Sequence, residues 1–186
     1  MMRRLLAIVV AALAFGTLSG LAAYQKVRPP ADGGGDGRWQ EIAWPFPRDG
    51  WPAGRAFRCG DAACGGEAEI YVRPKIGFCN CDTGVADDDE VDRVADLDLI
   101  TPRFTPREQG RAVRVADLAG RSRDYDLDMS DGSKHAAVGF ALSHRCDLLV
   151  AVTQGAATPD ALKRAALDFL ASPPMHRWML ASVGGK

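Results

Sequence analysis

Apolar and polar residues alternate most clearly from Ala68 to Arg73, where Ala68, Ile70 and Val72 interleave with Glu69, Tyr71 and Arg73. That period of two predicts a strand with one buried face. Pro74 has no amide to give to a ladder, so its position reads as an edge strand, a bulge or a break between two strands. Ile76 and Phe78 then alternate with Lys75, Gly77, Cys79 and Cys81, which extends the strand-like pattern. Asp82-Thr83-Gly84 signals a turn, and Asp87, Asp88, Asp89 and Glu90 precede Val91, Val94 and Ala95. Acid in a first turn complements the helix dipole, and spacings of three and four make one apolar face. A short helix is therefore expected near Asp88–Ala95.

The second half is patterned more simply. Val113 and Val115 mark a short strand after a proline-containing loop, Thr101–Gly110. Tyr125, Leu127 and Met129 alternate with aspartates and lead into Ser130-Asp131-Gly132-Ser133. Val138, Phe140 and Leu142 then return as a second strand. An Asp-Gly turn between two alternating runs predicts a hairpin. Leu148–Val152 is continuously apolar, as a central strand would be. Thr158 caps a helix with Pro159 at its first position, and Leu162, Ala165, Ala166 and Phe169 fall on one face. Ser172-Pro173-Pro174 reads as its stop, with one further turn packing Trp178. Before the central stretch, Trp39, Trp44, Phe46 and Trp51 interleave with Pro45, Pro47 and Pro52. Prolines exclude a regular helix there, and the aromatics are expected to cover one side of the core. A recognition surface is the alternative reading of the same residues.

These elements predict an α+β fold. A mainly antiparallel sheet of about five or six strands packs against one C-terminal amphipathic helix, Thr158–Ala171. A single transmembrane helix is expected to precede the domain. Leu5–Tyr24 carries no charge and at about twenty residues is long enough to cross a bilayer, with Arg3 and Arg4 before it. A cleaved signal sequence is the other reading. Residues 1–24 are thus an anchor or signal, 25–38 a Pro/Gly-rich flexible linker, and 39–186 an exported globular domain. Arginine far outnumbers lysine and Asn80 is the single asparagine, a codon bias of GC-rich bacterial genomes. The expected location is the bacterial inner membrane with the domain in the periplasm. If the signal is cleaved, the whole product is periplasmic.

Composition removes some functions. A formal net charge of −1 argues against nucleic acid as a partner. The chain has no G-x-S-x-G turn, no phosphate-binding glycine loop, no H-E-x-x-H and no C-x-x-C. These absences lean away from an enzyme, and no catalytic residue is assigned.

Two clusters could carry chemistry. Cys79 and Cys81 stand two apart, as do His144 and Cys146, and three thiolates with an imidazole would suit zinc or copper(I). In an oxidising compartment the same cysteines favour a disulfide from Cys146 to Cys79 or Cys81, and Cys59 with Cys64 form a second candidate pair. Five cysteines leave at least one thiol over. No cofactor is otherwise expected. Arg111, Arg114, Arg121 and Arg123 could bind an anion, or could pair with the acids of the central stretch. Three functions are consistent with this. They are a non-catalytic interaction module working beside an envelope partner, a thiol or metal protein, and an enzyme acting on an anionic envelope substrate.

Overall fold

The structure is a computed structural model that describes residues 37–60 and 62–184. The Leu5–Tyr24 span and nearly all of the 25–38 linker lie outside the described residues. Among the described residues no helix is long and apolar enough to cross a membrane.

Eight strands form one antiparallel sheet. They are β1 (Gln40–Ile42), β2 (Arg55–Cys59), β3 (Ala68–Lys75), β4 (Phe104–Pro106), β5 (Arg111–Val115), β6 (Leu118–Asp128), β7 (Lys134–His144) and β8 (Asp147–Gly155). The order across the sheet is β1-β2-β3-β8-β7-β6-β4. The outer side of β6 holds two short strands in line: β5 pairs with Leu118–Ser122 and β4 with Tyr125–Leu127. The helices are α1 (Asp88–Val94), α2 (Leu97–Ile100), α3 (Pro159–Leu170) and α4 (Pro173–Val183).

The sheet is covered on both faces. On one, Leu162, Ala166, Phe169 and Leu170 of α3 and Met175, Met179 and Val183 of α4 bury Phe57, Ile70, Phe140, Leu142 and Leu149. On the other, Val91, Val94, Ala95 and Leu97 bury Tyr125, Leu127, Ala137, Ala141, Leu148, Val150 and Val152. This is why Leu148–Val152 shows no alternation, since a strand buried on both faces has no polar side to show.

Strand β7 is asymmetric. Val138, Phe140 and Leu142 fill the α3 side, while Ala137, Gly139 and Ala141 leave room for α1. A Cβ placed on Gly139 would lie 2.9 Å from the Ala95 Cβ and 3.2 Å from Tyr125 Cε2. Gly139→Val should therefore push α1 off the sheet and destabilise the domain by about 1–3 kcal/mol. A lowered urea midpoint at unchanged m-value would show this, and an unchanged midpoint would refute it.

The architecture is the expected α+β class, with corrections in detail. Two helices, not one, close the C-terminus. Proline at the first helical position lacks only an amide that has no partner there, so Pro173-Pro174 starts α4 as readily as it ends α3. The sheet has two or three more strands than expected, because β1 and β4 are three residues long and show no period. Thr101–Gly110 is correspondingly not all loop. Pro74 neither breaks nor bulges β3, which runs unbroken to Lys75. Strand β2 starts at Arg55, opposite Val72, so from Arg73 onward β8 is the only neighbour and no ladder partner is lost. The extended pattern stops there, and Ile76–Cys81 forms turns instead of a second strand.

Two disulfides staple the domain. Cys59–Cys64 closes the loop that holds the 3-10 turn Ala62–Cys64, and Cys81–Cys146 joins chain segments 65 residues apart. Cys79 is the free cysteine.

Candidate functional site

Glu69, Tyr71, Arg73 and Lys75 alternate along β3 and share the face that α1 covers elsewhere. They are a polar stripe across an otherwise apolar sheet, and the two ends of the stripe differ.

At the Lys75 end every charge is matched. Arg73 is 3% exposed and Lys75 is 5% exposed. The Arg73 guanidinium donates to Asp96 through Nε at 2.6 Å and Nη2 at 2.7 Å, and to Asp49 through Nη1 at 2.9 Å and Nη2 at 2.7 Å. Lys75 Nζ donates to Asp96 Oδ1 at 2.6 Å and to the Val94 carbonyl at 2.9 Å. Asp96 sits between α1 and α2 with φ at 60°, a left-handed conformation that aspartate tolerates better than most residues. The Trp44 ring lies 5.9 Å from Arg73 Cζ and the Trp51 ring 5.8 Å from Lys75 Nζ. This knot ties the lead-in segment, the strand and the helix junction together, and its two cations already meet two carboxylates.

Burial works against the Arg73 charge, but the hydrogen bonds of Asp96 and Asp49 outweigh it and hold its pKa above the ordinary value. The Arg73 hydrogen bonds in turn lower Asp49 to about 2. Asp88 is held below its usual value too, first by the Gly110 amide and then by Arg121. Groups of this kind bind protons more weakly in the folded state than in the unfolded one. Their stabilisation is complete above about pH 4 and is lost as the pH falls towards 2. The urea midpoint should hold from pH 7 to 5 and drop steeply between 4 and 2, with a shallower drop in Asp49→Asn. Equal acid slopes for the two proteins would refute the assignment.

At the Glu69 end the stripe opens into a pocket of about 280 Å³, lined by Arg58, Glu67, Glu69, His135 and Gln154 among others. Glu69 Oε1 accepts from Arg58 Nε at 2.8 Å and Nη2 at 2.6 Å. Its Oε2 accepts from the Tyr71 hydroxyl and from Gln154 Nε2 at 3.2 Å. Gln154 Oε1 lies 2.5 Å from His135 Nδ1. Burial alone would raise the Glu69 pKa, but the Tyr71 and Arg58 hydrogen bonds outweigh it and keep the carboxyl below its usual range. Burial and the Glu69 carboxylate raise Tyr71 well above an ordinary phenol, so it stays a donor.

The four sequence-predicted metal ligands are not arranged as a centre. Cys81 and Cys146 share a disulfide. Cys79 packs with Val85 and Val91 on the α1 side, whereas His144 continues the α3-facing alternation of Phe140 and Leu142. Among the described residues no group of three His, Cys, Asp or Glu side chains could hold a metal ion. Cys79 lies against the staple, its amide donating to the Cys146 carbonyl at 3.1 Å. Burial, then Glu90, raises its thiol pKa, which suppresses the reactive thiolate.

The four arginines do not form one patch. Arg121 donates to Asp88 at 2.6 Å and Arg123 to Asp92 at 2.6 Å, both acids being on α1. Tyr125 joins the second pair through a 2.7 Å bond to Asp92. Arg111 is opposite Ser122 and so faces the other side of the sheet, 3.9 Å from Glu108. Arg114 is exposed on β5.

A different feature stands out at the staple. Ile76 is 46% exposed and Phe78 40%, the exposed large hydrophobics among the described residues. Their loop is pinned three times to the β7–β8 turn: Gly77 donates to Asp147 Oδ1 at 2.7 Å, Cys79 donates to Cys146, and Cys81 is bonded to Cys146. Trp51 packs edge-on against Phe78 at 5.4 Å. Beside Phe78 runs a groove of about 470 Å³ lined by Asp87, Asp89 and Glu90, with Arg93 on its wall. The sequence pattern could not show this ledge, because Ile76 and Phe78 have the alternation of buried strand residues.

No family model matches the chain, and no curated protein matches it. Among solved structures it is similar to PA94, a Pseudomonas aeruginosa protein of unknown function proposed to be a regulator. That likeness has 14% identity and a TM-score of 0.40, and covers 77% of this chain and 94% of the other.

Proposed function

We propose that the chain is a membrane-tethered, non-catalytic interaction module of the bacterial envelope, docking a partner protein through the Ile76–Phe78 ledge. One observation carries this reading: a disulfide and two backbone ties are spent on holding two large apolar side chains in solvent. Rigid presentation lowers the ordering cost of association, and adjacent aromatic and aliphatic side chains are the usual anchors of an interface. Asp87, Asp89 and Glu90 beside Phe78 set the partner's chemistry as a segment that is apolar and cationic. Export is supported by the two disulfides and by the uncharged Leu5–Tyr24 run after Arg3 and Arg4.

The test places a photo-crosslinking residue at Phe78 in living cells, with a control at exposed Ala171 on the far face. A discrete adduct in the envelope fraction from position 78 alone is the expected outcome. It should weaken when Asp87 and Asp89 are changed to lysine. The pair Ile76→Ser and Phe78→Ser should abolish partner binding while the domain stays folded, at a cost of about 1–2 kcal/mol each for the part of each side chain that is packed, Phe78 against Trp51. No adduct at 78, or equal adducts at both sites, would overturn the proposal.

A further inference from the structure

The Glu69 pocket lies at the far end of the β3 stripe from the ledge and has no part in docking. Its wiring fixes what it can hold. A carboxylate only accepts hydrogen bonds, so the group of Gln154 that faces Glu69 is its NH₂. The Gln154 carbonyl must then face His135, and His135 Nδ1 must carry the proton. In the tautomer that this bond selects, the other nitrogen, Nε2, is an acceptor. Gln154 is 7% exposed, so this orientation is set in the interior and not by solvent.

The other walls are fixed in the same way. Glu69 spends Oε1 on two Arg58 bonds and Oε2 on Tyr71 and Gln154. It orients its neighbours and has no acceptor capacity left for a ligand. Those two bonds use Nε and Nη2 of Arg58, which leaves the two hydrogens of Nη1 for a guest. Glu67 adds a carboxylate on the rim. The pocket thus offers a guanidinium donor edge, an imidazole acceptor and a carboxylate within about 280 Å³, at the small end of ligand sites.

We infer that this pocket binds a small zwitterion of amino-acid size, its carboxylate on Arg58 Nη1 and its ammonium between His135 Nε2 and Glu67. A simple anion would meet two glutamates. A simple cation would meet Arg58. A molecule carrying both charges a few atoms apart answers each group with its opposite.

Three probes of matched size separate these cases: L-alanine, propionate and ethylammonium. Titration of each into the full domain at pH 7.5, followed by the ring signals of His135 in NMR spectra, gives the affinities. L-Alanine should produce a saturable shift at least about tenfold tighter than either singly charged probe, a difference of 1.4 kcal/mol. Arg58→Gln, on an exposed side chain, should remove the shift while the protein stays folded, and the Ile76→Ser, Phe78→Ser pair should leave it intact. No saturable shift with L-alanine, or equal affinity for propionate, would overturn the assignment.

Discussion

Asp96→Asn should destabilise the domain by about 3–5 kcal/mol, a large share of the 5–15 kcal/mol that holds a typical domain together. Asparagine has the same shape and tolerates the left-handed backbone of this position, so the substitution removes the charge and turns one acceptor oxygen into an NH₂ donor facing a cation. Asp96 takes three hydrogen bonds from two nearly buried cations. Asp49 remains as a counter-charge for Arg73, but Lys75 keeps only neutral acceptors such as the Val94 carbonyl. A buried ammonium without its counter-charge is the expensive outcome. Urea unfolding of the purified domain would measure the loss. Adding Lys75→Met should return part of it, because the stranded cation is then gone. A loss below about 1 kcal/mol, or no rescue by the second substitution, would mean that solvent reaches the knot and screens it.

Replacing Cys81 and Cys146 together by alanine should cost about 2–4 kcal/mol, because the bond closes a long loop in the unfolded chain. The thermal midpoint should fall by roughly 5–15 °C at this domain size. Removing Cys59 and Cys64 should cost less, since that bridge spans only five positions in sequence. Calorimetry on both double variants supplies the comparison. Intact mass after alkylation without reduction should add a single label, on Cys79, and only once the protein is denatured. Label on the native protein would show that Cys79 is accessible. Equal losses from the two bridges would show that the loop argument does not govern stability here.

The sequence allowed some of this architecture to be read and hid other parts, for definite reasons. The Asp131-Gly132 hairpin, the Thr158-capped helix and the acid-led α1 were legible because each is governed by local chemistry. The three-residue strands β1 and β4 were not, since pairing with a long neighbour defines them and their own pattern does not. Pro174 misled because proline signals both the end of one helix and the start of the next. The sites divide in the same way. Glu69 and Tyr71 were visible as the polar positions of a strand, but Gln154 and His135 come from two other strands, and only the register brings them together. The ledge was hidden for the opposite reason, since its alternation continues that of β3 beyond the point where the strand stops.

The rims of the sheet have a consequence for self-association. An open edge is a template for another chain's strand. Here β1 is a three-residue rim on one side, and β4, ending in Pro106, is half of the other. The longer half, β5, carries Arg111 and Arg114 on opposite faces, both exposed. Two copies approaching edge to edge along β5 would bring like charges together before a ladder could form. The two exposed charges of this rim act against edge-to-edge polymerisation.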